Sequence, residues 1–160
     1  MKIVIVGPGA MGCLFAANLS KSKEEIWLLD KNKERAAKIN ENGISSEGVS
    51  GSWQAKVKAT ANPGDIGISD LILICVKSFN TKQAVEQIKP LLGRTTKILT
   101  LQNGIGNLEL IAELTTEDRV IAGVTNEAAT LTDVGKIHHG GRGQTIIGMI
   151  DGKTPVEMRE

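Results

Sequence analysis

Aromatic side chains are scarce in this chain of 160 residues: there are only Phe15, Trp27, Trp53 and Phe79, and no tyrosine. Rings so scattered cannot form the stacking platform that a binder of single-stranded nucleic acid needs. A surplus of one charge sign is also lacking. Nineteen Lys and Arg face 18 Asp and Glu, a formal net charge of +1, so the basic footprint of a nucleic-acid binder is missing. Cysteine is limited to Cys13 and Cys75, without CxxC spacing, which argues against a disulfide scaffold and against a zinc site. The pair reads instead as two small buried hydrophobes. The longest apolar run, LILICV at 71–76, is too short to cross a bilayer, and Gly7 cuts the N-terminal MKIVIV before a signal-peptide core can form. No nucleic-acid partner, membrane or metal is therefore expected, and the cytoplasm is the expected compartment.

What remains is an ordinary globular composition, 41% hydrophobic and 23% charged, of a length that suits one domain. Lys2 to Val6 is a β-branched run that stops at Gly7, as a strand buried on both faces does. Residues 10–20 read as a helix with Met11, Leu14, Phe15 and Leu19 on one face. IWLLD at 26–30 is the next strand, and the segment from Lys31 to Asn42 is a helix stopped by Gly43. Residues 44–60 predict a β-hairpin or an irregular excursion. LILICV is again a strand, and Asn80 to Leu92 is a helix that Asn80 would cap. KILTL at 97–101, a short helix from Gly106 to Leu114, and RVIAGV at 119–124 follow. Two last β runs, Lys136 to His139 and Gln144 to Met149, flank Gly140-Gly141-Arg142-Gly143 like a hairpin. Alternating strands and helices predict an α/β fold, a Rossmann-like doubly wound and mostly parallel sheet with a C-terminal β-hairpin added.

Between the first strand and the first helix stands Gly7-Pro8-Gly9-Ala10-Met11-Gly12. GxGxxG is a weak pattern alone, but a strand before it and a helix opening inside it are what a dinucleotide site requires. Gly7 would make the tight turn, Gly9 would let backbone approach a pyrophosphate, and Gly12 would let helix and strand close up, while the helix N-terminus supplies anion-binding N–H groups. At the end of the second strand Asp30 and Lys31 compete. Asp30 would accept a ribose 2′-hydroxyl and favour NAD, or else cap the next helix. Lys31, with Lys33 or Arg35, would neutralise the 2′-phosphate of NADP. Lys77 and Asn103 follow two further strands. Ligands of open α/β sheets bind outside such strand ends, although Lys77 also reads as a solvated lysine and Asn103-Gly104 as a turn. His138 and His139 alternate on a strand, so at most one points inward.

Taken together, GPGAMG at 7–12, VKSFNT at 76–81, LQNGIGN at 101–107 and GVTNEAA at 123–129 resemble the N-terminal domain of the ketopantoate reductases, over essentially the whole chain. The resemblance implies NADPH-dependent reduction of 2-dehydropantoate to pantoate. It also implies that residues 7–12 hold the pyrophosphate, that Lys77 and Asn103 face both cofactor and a small 2-oxo acid substrate, and that Ala129 lines the nicotinamide side. Lys31 stands where the family commonly has arginine, whereas Asp30 departs from its pattern and keeps NAD open. In the family a helical second domain follows and carries the proton-donating lysine. Residues 1–150 are thus expected to be the dinucleotide-binding domain and residues 151–160 the start of a linker. The helical domain and any homodimer contact it makes are expected to be missing, with no catalytic acid in this chain and little turnover from it alone. A reductase of another 2-oxo acid, a β-hydroxyacid dehydrogenase, and a non-catalytic NAD(P) sensor are the rival readings.

Overall fold

A computed structural model describes residues 1–150 and Gly152, so the expected linker at 151–160 lies almost wholly outside the described residues. β1 (Lys2–Val6), β2 (Glu25–Leu29), β5 (Lys58–Thr60), β6 (Ser69–Ile74), β7 (Leu92–Thr100), β8 (Val120–Thr125) and β11 (Thr145–Met149) form a seven-stranded sheet in the order β11-β8-β7-β6-β1-β2-β5. All neighbours in it are parallel except β11, which runs antiparallel to β8. From β5 to β8 this is the doubly wound order, with the chain reversing direction across the sheet between β1 and β6. A crevice outside the strand ends is expected there.

Burial on both faces explains the continuous apolar runs of the central strands. Ile3 and Ile5 face Cys13, Leu14 and Ala17 of α1 (Ala10–Leu19) and also α2 (Lys33–Asn42). Val4 and Val6 face the other side, towards Val85 and Ile88 of α3 (Thr81–Ile88) and Ile111 of α4 (Asn107–Leu114). Each such fully buried side chain stabilises the fold by roughly 1.5–3 kcal/mol.

A second sheet of four strands covers α1 from outside. It comprises β4 (Trp53–Ala55), β3 (Ile44–Gly48), β10 (Lys136–Gly141) and β9 (Ala128–Asp133), in that order. Its inner face places Ile44 and Ile137 on the core that α1 shares with the first sheet. The expected single apolar stripe of α1 is therefore only part of its burial. Met11, Phe15 and Leu19 are half-buried, while Gly12, Cys13, Ala16 and Ala17 are fully buried, small residues that let two layers close on one helix.

Two expectations need correction. The runs at 136–139 and 144–149 are both strands but do not pair as a hairpin. β10 pairs with β3 and β9, whereas β11 crosses to the edge of the first sheet. The crossing is anchored where Asn126 N–H donates to the Gln144 carbonyl at 3.0 Å and Gly143 lies against Asn126, leaving no room for a Cβ. The helix expected over 80–92 ends at Ile88 and continues as a 3-10 turn at Lys89–Leu91, because Pro90 has no N–H to carry the α-helix on. The side chain of Asn80 makes no capping bond.

Candidate functional site

Gly7 ends β1 with φ of +95°, a backbone region that favours glycine. Its N–H donates to the Leu29 carbonyl at 3.0 Å, and Cys75 N–H donates to the Val6 carbonyl at 2.9 Å, so the loop is tied to both neighbouring strands. A Cβ at Gly12 would collide with the Gly7 carbonyl oxygen, whereas one at Gly9 would meet nothing within 4 Å. Gly12 is thus a packing contact, and Gly9 is bare backbone facing open space. Gly9 precedes α1 without a side-chain cap, which leaves the first-turn N–H groups to a ligand. The loop borders a cleft of about 470 Å³ that Gly7, Pro8, Gly9, Ala10, Met11, Asp30, Lys31, Lys77, Asn103 and Ala129 all line. Gly12 alone of the expected site residues lies beneath it.

At the β2 end, Asp30 and Lys31 differ sharply. Lys31 is exposed. Asp30 is 2% exposed and engaged at both oxygens: Arg35 Nη2 donates to Oδ1 at 2.6 Å, Arg35 Nε donates to Oδ2, and Asn32 N–H donates to Oδ1 at 3.1 Å. Asn32, not Asp30, caps α2, accepting from Arg35 N–H at 2.9 Å. The hydrogen bonds that Arg35 donates to Asp30 raise its guanidinium above its ordinary pKa, so this cation stays charged.

At the other end, the β6 and β7 loops are laced together. Gln102 Nε2 donates to the Val76 carbonyl at 2.7 Å and to Thr81 Oγ1 at 2.9 Å. Buried Asn107 accepts from Thr81 Oγ1 at 3.1 Å and donates to the Asn103 carbonyl at 3.2 Å. Ser78 Oγ donates to the same carbonyl at 3.0 Å. The backbone of Asn103 is held from two sides, while the Lys77 and Asn103 side chains are exposed in the cleft. Sequence reasoning missed Gln102, Thr81 and Asn107 as the bracing set; their polar side chains just beyond strand ends were the available signal.

Ala129 is the second residue of β9 and pairs with His139 of β10. His139 is buried, with Nε2 2.6 Å from Glu127 Oε2 and 3.0 Å from the Gly141 carbonyl, and Nδ1 3.0 Å from Ser50 Oγ. Two acceptors at Nε2 require the proton there. His138 is exposed, so only one histidine points inward. Trp27 does not line the cleft and packs against the sheet face. Burial pushes the Cys13 and Cys75 thiols up to about 12, which keeps both protonated and inert. Among the described residues no three His, Cys, Asp or Glu cluster as a metal site, and no helix is long and apolar enough to cross a membrane.

Among the described residues the cleft therefore offers bare backbone N–H groups, three cations (Lys31, Arg35 and Lys77) against the single carboxylate of Asp30, and the side-chain amides of Asn80, Gln83, Gln87 and Asn103. That donor set fits an elongated, multiply anionic ligand with polar groups at its far end. Residues 3–152 match the family described as ketopantoate reductase PanE/ApbA. The 2-dehydropantoate 2-reductase of Pyrococcus horikoshii is 39% identical over 150 residues, covering 93% of this chain and 48% of that protein. The crystal structure of 2-dehydropantoate 2-reductase from Geobacter metallireducens superposes with a TM-score of 0.91 at 34% identity, covering 99% of this chain and 52% of that one. D-mandelate dehydrogenase in a ternary structure with NADH and anilino(oxo)acetate gives 0.86 at 28%, covering 95% and 50%. The chain spans about half the length of the relatives it matches.

Proposed function

The chain belongs to the ketopantoate reductase family, and from that premise we propose that it is the NADP(H)-binding half of a reductase converting 2-dehydropantoate to pantoate, a step towards pantothenate and coenzyme A. One observation carries the reading: the glycine loop, Lys77 and Asn103 come from three different strand ends and line the same cleft at the point where the sheet order reverses. The pyrophosphate rests on the N–H groups of the loop at the start of α1. The adenosine end lies towards β2 and the cations there. The nicotinamide end lies towards β7 and β8, against Ala129.

Reduced nicotinamide, when bound, supplies the hydride. The Lys77 ammonium attracts the carboxylate of a 2-oxo acid, and the Asn103 amide donates to its keto oxygen, fixing which carbon faces the cofactor. Neither group is assigned the final protonation of the alkoxide, which the family resemblance places in a following helical domain. Lys77 and Asn103 also separate this reading from a sensor, which has no use for a second polar pair beyond the pyrophosphate.

Titration of nicotinamide fluorescence with NADPH and with NADH should detect saturable binding to the chain, and 2-dehydropantoate should be turned over slowly or not at all. No binding of either dinucleotide overturns the cofactor reading; turnover equal to that of a two-domain relative overturns the half-site reading. The likeness to D-mandelate dehydrogenase favours, as a second reading, a bulkier 2-oxo acid. Competition between 2-dehydropantoate and a 2-oxo acid with an aromatic side chain for the NADPH-loaded chain discriminates the two.

A further inference from the structure

An acidic residue at the end of the second strand ordinarily grips the ribose 2′-hydroxyl and selects NAD. Asp30 occupies that position, yet its surroundings do not suit that task. The carboxylate is 2% exposed. One oxygen accepts from Asn32 N–H and Arg35 Nη2 and the other from Arg35 Nε, so three of the carboxylate's roughly four acceptor sites are taken, two of them by a bidentate guanidinium, and burial bars a ribose hydroxyl from the fourth. Removing that partner leaves a buried carboxylate uncompensated, which is costly.

We infer that Asp30 is a positioning residue acting through Arg35: it locks the guanidinium at the adenosine end of the cleft, where Arg35 and Lys31 together recognise a 2′-phosphate. The acidic position, read alone as a mark of NAD, here builds an NADP site. The geometry supports each step. The fork of the guanidinium uses two of its five N–H groups on Asp30, which leaves three to donate to phosphate oxygens, and the Arg35 side chain remains 37% exposed. Asn32 adds rigidity from the backbone side, because its side chain holds the Arg35 N–H at the first turn of α2. Lys31 lines the same cleft from the strand end and is exposed. Glu34, exposed in the first turn of α2, does not line the cleft, so among the described residues Asp30 is the only carboxylate lining it, and it is already paired with Arg35.

This inference rests on the reading that the cleft takes a nicotinamide dinucleotide, and the test separates the two. Dissociation constants for NADPH and NADH are measured by fluorescence titration on the wild-type chain and on Arg35→Gln, Arg35→Lys, Asp30→Asn and the Asp30→Asn/Arg35→Gln double variant, with thermal melts checking that each is folded. Loss of charge-assisted hydrogen bonds to a phosphate predicts that Arg35→Gln weakens NADPH by about 10- to 100-fold and leaves NADH unchanged or tighter. Freeing the guanidinium predicts a loss of about 3- to 10-fold for NADPH in Asp30→Asn, with little change for NADH. Arg35→Lys should fall between wild type and Arg35→Gln, because it keeps the charge and loses the fork. The double variant should bind NADPH no worse than Arg35→Gln alone, since Asp30 has nothing left to position. Asp30→Asn weakening NADH as much as NADPH, or Arg35→Gln leaving NADPH unaffected, overturns the inference while leaving the cofactor reading intact. A wild-type chain that binds neither dinucleotide overturns both.

Discussion

The two sheets that enclose α1 are built on different rules. In the first, β1 and β6 carry apolar residues at consecutive positions, because helices cover both faces; Val4, Ile5, Ile72 and Ile74 are all completely buried. In the second, burial alternates. Ile44 and Ser46 of β3 and Ile137 and His139 of β10 point at α1, while Ser45, Glu47, Lys136 and His138 are exposed. Through its centre the side chains of the first sheet thus contribute by apolar packing. The inner face of the second carries polar groups: His139 is satisfied through Glu127 and Ser50, whereas the buried Ser46 hydroxyl has no hydrogen-bond partner among the described residues. An apolar truncation loses contacts in proportion to the atoms removed, whereas breaking a buried polar set leaves its survivors unpaired.

The largest effect should come where the layers are closest. Gly12→Val drives a branched side chain into the Gly7 carbonyl oxygen. Overpacking of this kind predicts a loss of about 3 kcal/mol and a fall in Tm of roughly 6–12 °C, together with loss of measurable NADPH binding because the loop must move. Gly140→Ala in the second sheet, where the nearest atom to an added Cβ is the Ala128 carbonyl oxygen at 3.8 Å, should be nearly neutral in the same melts. Equal losses at the two glycines would erase the contrast in closeness between the layers.

The next effect probes the polar inner face. His139→Leu keeps bulk and removes both ring nitrogens, which strands Glu127 and Ser50; the expected cost is about 2 kcal/mol in urea unfolding. Adding Glu127→Leu should recover part of that loss, since the stranded carboxylate is then gone. A single His139→Leu variant as stable as wild type would mean that the second sheet tolerates an apolar face as readily as the first.

The same contrast governs what could be read from the sequence. Buried parallel strands announce themselves locally, so LILI of β6 or IVIV of β1 needs no knowledge of its neighbours, and the crevice at their ends follows from the order of elements. Lys77 and Asn103 were legible for that reason: residues just past parallel strands converge. The second sheet was not legible, because β3 and β10 pair in parallel across roughly ninety positions and β9, AATLTD, is mostly exposed and lacks an apolar run. Local patterning therefore predicts a hairpin of β10 and β11, whereas their partners lie on other strands. The occupation of Asp30 was hidden differently. Only once Asn32 is fixed as the cap does Arg35 fall on the first turn of α2 within reach of the strand end, and a strand-end acid looks the same in sequence whether it is free or paired.

The last effect, negligible at neutral pH, lies at the junction of the first sheet with α1, in the thiols of Cys13 and Cys75. Loss of solvent raises both from their ordinary 9.0 to about 12. Between those values the unfolded chain releases protons that the folded chain retains, so unfolding is favoured as pH rises. The thiols leave stability nearly untouched up to about pH 8 and lower it progressively from there towards pH 12, by about 1.4 kcal/mol per thiol near pH 10. Urea midpoints for wild type should hold level from about pH 7 to 8 and then decline. The informative quantity is the difference from Cys13→Ala/Cys75→Ala, which should start lower at pH 7 because the buried sulfur of Cys13 and the partly buried Cys75 are truncated, yet fall less steeply above pH 9. Parallel slopes in the two proteins would mean that water reaches these sulfurs, and with it that the dry packing assigned to the first sheet stops short of its contact with α1.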